Sequence, residues 1–215
     1  MKNEQFNKKI TDNSLRNLLK SAGVAAGSML TAGSLLLPMI AISQGATAAE
    51  YRIDPTHSFV QFRIKHLGTS WLLGRFNDIS GDFFYSPEAG ASAQRINVLV
   101  KTASIDSNHA ERDKHLRNDD FLDVDKFGEA SFVSSGYEGD ADGGIMRGEL
   151  TIHGVSKDVA VKVQKVGEGA DPWGGYRAGF EGQLRITRAD FGMDYDLGPD
   201  SAAMDLEIFI EGIRN

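Results

Sequence analysis

The 215-residue sequence contains no cysteine. That absence excludes a disulfide framework, a thiolate metal site, a cysteine nucleophile and a lipid-modified N-terminal cysteine. The fold must rest on its core alone. Sequence signatures of catalysis are missing as well: there is no H-E-x-x-H and no G-x-S-x-G. The five histidines, His57, His66, His109, His115 and His153, share no metal-ligand spacing. His109 and His115 are six apart and fall on different sides of a helix. Ser58 beside His57 makes no catalytic pair, because adjacent strand residues point to opposite faces. Asp119-Asp120 reads as loop solvation. No basic patch interleaved with aromatics is present, which argues against a nucleic-acid partner. The chain therefore reads as a non-enzyme.

The first 48 residues differ in kind from the rest. Lys2, Lys8, Lys9, Arg16 and Lys20 form a basic lead. An uncharged stretch from Ser21 to Ala49 follows, ending in the small-x-small pattern Ala46-Thr47-Ala48. This order is that of a secretory signal peptide, with cleavage expected after Ala48. The stretch is long enough to span a bilayer, but Gly23, Gly27, Ser28, Gly33, Ser34 and Pro38 make it weakly hydrophobic. No Arg-Arg pair supports a twin-arginine route. Residues 1–48 are thus read as a signal peptide and 49–215 as one domain. That domain carries 18 basic and 28 acidic residues, a formal charge of −10. Such a surface repels nucleic acid and anionic membrane, and nothing anchors the chain to a membrane after cleavage.

Short runs of alternating apolar and polar residues dominate the domain. Val60, Phe62 and Ile64 alternate with Gln61, Arg63 and Lys65; Ile96, Val98 and Val100 follow the same rule. So do Val159, Val161 and Val163, and Met204, Leu206, Ile208 and Ile210. Period-two alternation gives each strand one dry and one wet face. Further runs lie near 74–85, 130–137, 145–153 and 176–188. About eight strands result, the pattern of an all-β barrel or sandwich. Turn signals at 86–90, 139–144 and 171–175 predict antiparallel hairpins, and Lys157 reads as part of another. Asn108 followed by Glu111 predicts a short helix over 110–117 capped by Asn108. Phe121 and Leu122 are expected to plug one end. Eight antiparallel strands can close on themselves and abolish free edges, and at that number the interior holds either packed side chains or one small ligand. Alternation alone decides neither between barrel and sandwich nor between filled and hollow.

Five blocks of the domain, in order, resemble the YceI-like family of polyisoprenoid-binding, lipocalin-like exported proteins. They are Tyr51-Arg52-Ile53-Asp54-Pro55-Thr56-His57-Ser58 continuing to His66; Gly74-Arg75-Phe76; Glu111 to Arg117 followed by Phe121-Leu122-Asp123; Gly148 to Lys157; and Ile186 to Met193. Phe127-Gly128 departs from the family's aromatic-Pro pair. The resemblance implies an eight-stranded antiparallel barrel with one short helix and an apolar tunnel. It also implies an isoprenoid lipid inside, such as a prenyl quinone or prenyl pyrophosphate, a periplasmic carrier or reservoir role, and a plausible homodimer. No cofactor is implied beyond such a bound lipid.

On that reading the ligand wall is drawn from the apolar members of the alternating strands: Val60, Phe62, Ile64, Phe76, Val98, Val100, Phe132, Leu150, Ile152, Val161, Phe180, Leu184 and Ile208. A polar head needs fixed partners at a tunnel mouth, and Arg112, His115, Arg188 and His66 are the candidates. Structural roles compete for the arginines: a solvated helix face for Arg112 and Arg117, and a pair with Asp190 for Arg188. Two other functions stay open at this point. One is a metal-dependent envelope hydrolase built from scattered His and Asp. The other is a structural or stress-related envelope protein with a filled barrel.

Overall fold

Among the described residues, eleven strands build a single sheet that closes on itself, accompanied by one α-helix. The structure, a computed structural model, describes residues 48–88 and 94–215. The expected signal peptide therefore lies outside the described residues, except for Ala48. Strand β1 (Ala49–Ile53) and β2 (Phe59–His66) are followed by β3 (Ser70–Phe76), β4 (Ile79–Tyr85), β5 (Arg95–Lys101) and β6 (Ile105–Asp106). Helix α1 (Ala110–Leu116) comes next. Then follow β7 (Glu129–Gly139), β8 (Gly143–Ile152), β9 (Val155–Ala170), β10 (Tyr176–Thr187) and β11 (Ala203–Arg214).

The eleven segments make eight staves. Both β1 and β2 pair with β11, so they are one long strand bent in the middle. Likewise β3 pairs with β2 and β4 with β1. β5 and β6 continue this pattern on β4 and β3. The remaining strands follow as antiparallel neighbours, and β1 closes the ring against β11. The fold is the expected antiparallel eight-stranded barrel, with every stave next to its sequence neighbour. Bending lets long staves keep pairing around a small circumference.

The bend in the first stave falls at Asp54–Ser58, between the β11 pairings of β1 and β2. There the backbone leaves β11 and is re-anchored by side chains. The Asp54 backbone N–H donates to Glu211 O at 2.8 Å, and Ser58 Oγ both accepts from Glu211 N (3.0 Å) and donates to Glu211 O (3.2 Å).

Two core clusters stack along the barrel. The upper one holds Tyr51, Ile53, Phe83, Tyr85, Val98, Val100 and Ile210; Tyr51 and Phe83 stack at 4.8 Å. At Gly212 any Cβ would lie 2.3 Å from the Phe83 ring, so the strand can pass this pair only as glycine. The lower cluster holds Phe62, Ile105, Leu122, Leu150, Ile186, Phe191, Met193 and Leu206. Segments outside the staves, Leu122 after α1 and the 3-10 turn Arg188–Phe191, supply part of it and close the lower end. Leu122 fulfils its expected plugging role, while Phe121, also buried, packs beside His115 and Tyr195.

Local chemistry explains the connections. The 139–143 and 171–175 turns join β7 to β8 and β9 to β10 as predicted. The β8–β9 hairpin turns on His153 (φ 52°) and Gly154 (φ 72°), the two positive angles that a tight primed turn demands. Lys157 sits inside β9 opposite Leu150, not in the turn. The Phe127 ring approaches Gly154 so closely that a Cβ would stand 2.5 Å from it. Gly154→Ala should therefore lower the unfolding free energy by about 2–4 kcal/mol, from left-handed strain plus displacement of Phe127. Urea denaturation measures it, and a loss within error would refute the argument. Helix α1 begins at Ala110 as expected, but its cap lies one residue later than expected: His109, not Asn108, is the N-cap, its ring accepting from Arg112 N at 3.3 Å. Asn108 instead takes a left-handed conformation (φ 63°) that turns the chain into the helix.

Candidate functional site

Between the two core clusters the barrel is hollow. A cavity of about 180 Å³ runs from Leu122 and Thr102 at its floor to Tyr85, Tyr137 and Lys165 at its upper end. The strands supply its wall through their inward positions. Val60 comes from β2, Phe76 from β3, Val98 and Val100 from β5, Phe132 from β7, Leu150 and Ile152 from β8. Val161 (β9), Phe180 and Leu184 (β10) and Ile208 (β11) complete it. On β8 alone the lining runs from Gly143 to Ile152, about 30 Å along the strand at roughly 3.3 Å per residue. A volume this small over that length describes a narrow channel, suited to a threadlike apolar molecule.

Phe62 and Ile64, expected in the wall, are not among the lining residues. Their parity is the expected one and both are buried. They sit at the level the lower cluster fills, where the Phe62 ring covers Gly74 and tilts against Phe76 at 6.2 Å. Alternation gives the face of a strand but not the height at which packing stops.

The expected head-group residues are corrected more thoroughly. None of the four lines the cavity, and all lie toward the closed end. Arg188 is buried and spends its guanidinium on backbone carbonyls: Nε to Ser201 O (2.9 Å), Nη1 to Met193 O (3.1 Å) and Nη2 to Tyr195 O (3.1 Å). Burial pulls its pKa below the ordinary arginine value. It latches the 188–202 segment, with carbonyls in place of the Asp190 partner suggested above. Arg112 binds Ser107 through both Oγ (2.7 Å) and the carbonyl. His115 pairs with Asp120 at 2.8 Å and stands edge-on to Phe121 and Tyr195. His66 ends β2 exposed, its carbonyl held by Thr69.

At the open end a polar collar does what those residues do not. Exposed Arg95 and Asp140 belong to the lining here, so the channel meets solvent. Lys165 continues the inward series Val159, Val161, Val163, one step beyond its apolar members. Its Nζ donates to Tyr85 Oη and Glu168 Oε1, each at 3.2 Å. A bulge skips Val166, exposes it, and brings Glu168 to the face of Lys165. Tyr176 donates to the other Glu168 oxygen (3.3 Å), and Tyr137 to Asp140 O (2.8 Å). The bond to Tyr85, aided by Glu168, raises the Lys165 pKa against burial, so the ammonium stays charged. Burial raises the Tyr85 pKa and keeps its hydroxyl protonated. The parity of β9 was the signal that could have found Lys165.

With the geometry in view, comparison with known proteins is informative. Residues 51–212 match the model of the YceI-like domain. The chain belongs to the YceI-like family. A UPF0312 protein of Shewanella sp. strain W3-18-1 is 48% identical over 190 residues, spanning 87% of this chain and 96% of that relative. Among solved structures, a Campylobacter jejuni YceI protein superposes with a TM-score of 0.63 at 33% identity, covering 71% of this chain and 90% of its own. A polyisoprenoid binding domain from Saccharophagus degradans, implicated in plant cell wall breakdown, shares the fold at 17% identity. Its TM-score is 0.58, over 79% of this chain and 100% of that one.

Within this YceI-like barrel one further cluster merits a chemical reading. Among the described residues, Asp54, His57 and Glu211 bring ligand-type atoms within 4.8 Å of one another. The cluster already has its cation. Arg177 Nη1 lies 2.8 Å from Asp54 Oδ2 and also bonds Glu211, while its Nε reaches Asp171 Oδ2 at 3.0 Å. Burial alone would raise the Asp54 pKa, but hydrogen bonds from Thr56, Arg177 and His57 outweigh it and hold the carboxyl far below its usual value. These residues form an ion-pair lock across the bend of the first stave.

Proposed function

We propose that this YceI-like chain is a binding protein that holds the apolar chain of a polyisoprenoid-type lipid inside its barrel, as a carrier or reservoir and not as an enzyme. The observation that carries the reading is the narrow, apolar-walled channel in an otherwise closed barrel. The polyisoprenoid binding domain of the same fold supports it, as does the family match. A polyprenyl tail offers no directional groups, so it is held by leaving water. At about 25 cal/mol per Å², burying a few hundred Å² supplies on the order of 10 kcal/mol before the costs of association. Dry apolar space inside a fold is well suited to that exchange.

Solvent extraction of the purified protein followed by lipid mass spectrometry tests the proposal. A co-purifying polyisoprenoid in near-stoichiometric amount is the expected result. An empty barrel that also takes up no added prenyl lipid would overturn it.

The same proposal places the protein in the periplasm, released by cleavage after Ala48. Its support is the basic lead, the uncharged stretch and the Ala46-Thr47-Ala48 pattern. Intact-mass measurement on the periplasmic fraction should give a chain starting at Ala49. The uncut 215-residue mass, found in the membrane fraction, would refute it.

A further inference from the structure

The collar at the open end has a definite donor and charge balance. Lys165 carries three N–H donors, of which two reach Tyr85 and Glu168. The Tyr85 hydroxyl has one proton and two distant acceptors, Glu168 Oε1 at 3.4 Å and Ala141 O at 3.5 Å. Both lie beyond ordinary O–H···O separations, so a closer acceptor would take that proton. Glu168, by contrast, already receives Lys165, Tyr85 and Tyr176. The collar thus presents donors to the channel and keeps its acceptors occupied.

Its charge is balanced. The ammonium of Lys165 is matched by Glu168, and Asp140 of the β7–β8 turn adds a negative charge at the rim. Arg95 also borders the opening, but it alternates with inward Ile96 and its guanidinium lies over the outward Phe84 ring at 4.4 Å. The adjoining sequence at 89–93, Ala-Gly-Ala-Ser-Ala, brings no charge. A pyrophosphate needs several unmatched cations in place of its water. This opening offers Lys165, already paired with a carboxylate, and Arg95, whose guanidinium is engaged on the Phe84 ring, beside the carboxylate of Asp140.

We propose that the collar selects, among lipids with the same apolar chain, those ending in an uncharged carbonyl-type oxygen, and discriminates against phosphorylated ones, with Lys165 and Tyr85 as the specificity-determining donors. This rests on the lipid-binding reading above. The carbonyl would accept the third N–H of Lys165 and the Tyr85 O–H while the tail fills the channel between Val98, Val161, Phe180 and Ile208. Quinone and ester oxygens share this chemistry.

The test is titration of the purified, delipidated protein with four probes of matched chain length: a prenyl quinone, a prenyl acetate, a prenyl pyrophosphate and the headless hydrocarbon. At least one carbonyl probe should bind about tenfold or more tighter than the pyrophosphate. The ratio of quinone to acetate affinity reports which carbonyl source fits. In Lys165→Met the ratio of carbonyl-probe to hydrocarbon affinity should fall about tenfold, and in Tyr85→Phe by a smaller factor. The double variant Lys165→Met/Glu168→Gln leaves no carboxylate unpaired and should show the same fall as Lys165→Met. Pyrophosphate binding equal to or tighter than both carbonyl probes overturns head-group selection while leaving lipid binding intact. So does an unchanged ratio in both lysine variants. Failure of all four probes, hydrocarbon included, overturns the lipid reading itself.

Discussion

Arg177→Met should lower the unfolding free energy by about 3–5 kcal/mol, the penalty for removing one partner of a buried ion pair. Arg177 is 21% exposed, and the Asp54 and Asp171 carboxylates it serves are each only 8% exposed. Without the guanidinium, two buried charges lose their chief cation, and the bend between β1 and β2 loses its link to β10. Chemical denaturation at neutral pH reads the loss directly; a change below about 1 kcal/mol, the level of a surface pair, would refute the buried lock. The same network sets an acid limit. Asp54 is ionised far more readily in the folded chain than in the unfolded one. Its contribution is therefore complete above the ordinary carboxylate value near 4 and is lost as pH falls below it toward the folded value. Asp54→Asn should flatten that part of the stability–pH profile. If the wild-type and Asp54→Asn profiles stay parallel from neutral pH down to acid unfolding, the assignment fails.

Leu184→Trp should abolish lipid retention, reducing bound lipid at least about tenfold, while leaving the barrel folded. Leu184 is in the channel wall, and the added indole would occupy space that is hollow in the wild type. The apolar bulk enters a void, so the stability change should stay within about 1.5 kcal/mol. Extraction and mass spectrometry report the lipid, and circular dichroism reports the fold. A folded variant that retains lipid at the wild-type level would show that the ligand does not occupy the channel at this height.

The strand faces were legible because each stave has one wall in solvent and one in the interior. Val98, Val100, Val161 and Leu184 announce their inward direction by parity alone. Closure into a barrel was not legible from parity, since a sandwich alternates too, and it came with the resemblance. The lock between Asp54 and Arg177 was not legible either, because those residues are 123 apart in the chain. The arginines and histidines that stand out in the sequence as head-group partners belong in the structure to turns and helix ends. Lys165 is hidden in the sequence because a lysine in an alternating strand reads as the wet face. Only the unbroken count from Val159, together with the bulge at Val166, reveals that it faces the channel.

The ring closes between the first stave and the last, with Tyr51 opposite Arg214. A nascent chain emerging from its N-terminus presents β1 long before β11 exists to receive it. No native ring can form until β11 is available, so closure must await that strand. Contacts of such sequence separation also make closure intrinsically slow. Until then the future channel walls are open apolar strands. Loss of Gly212 to Arg214 should therefore act on the rate and fidelity of assembly more than on any single contact, because it strips β1 of its β11 partner and frees that edge.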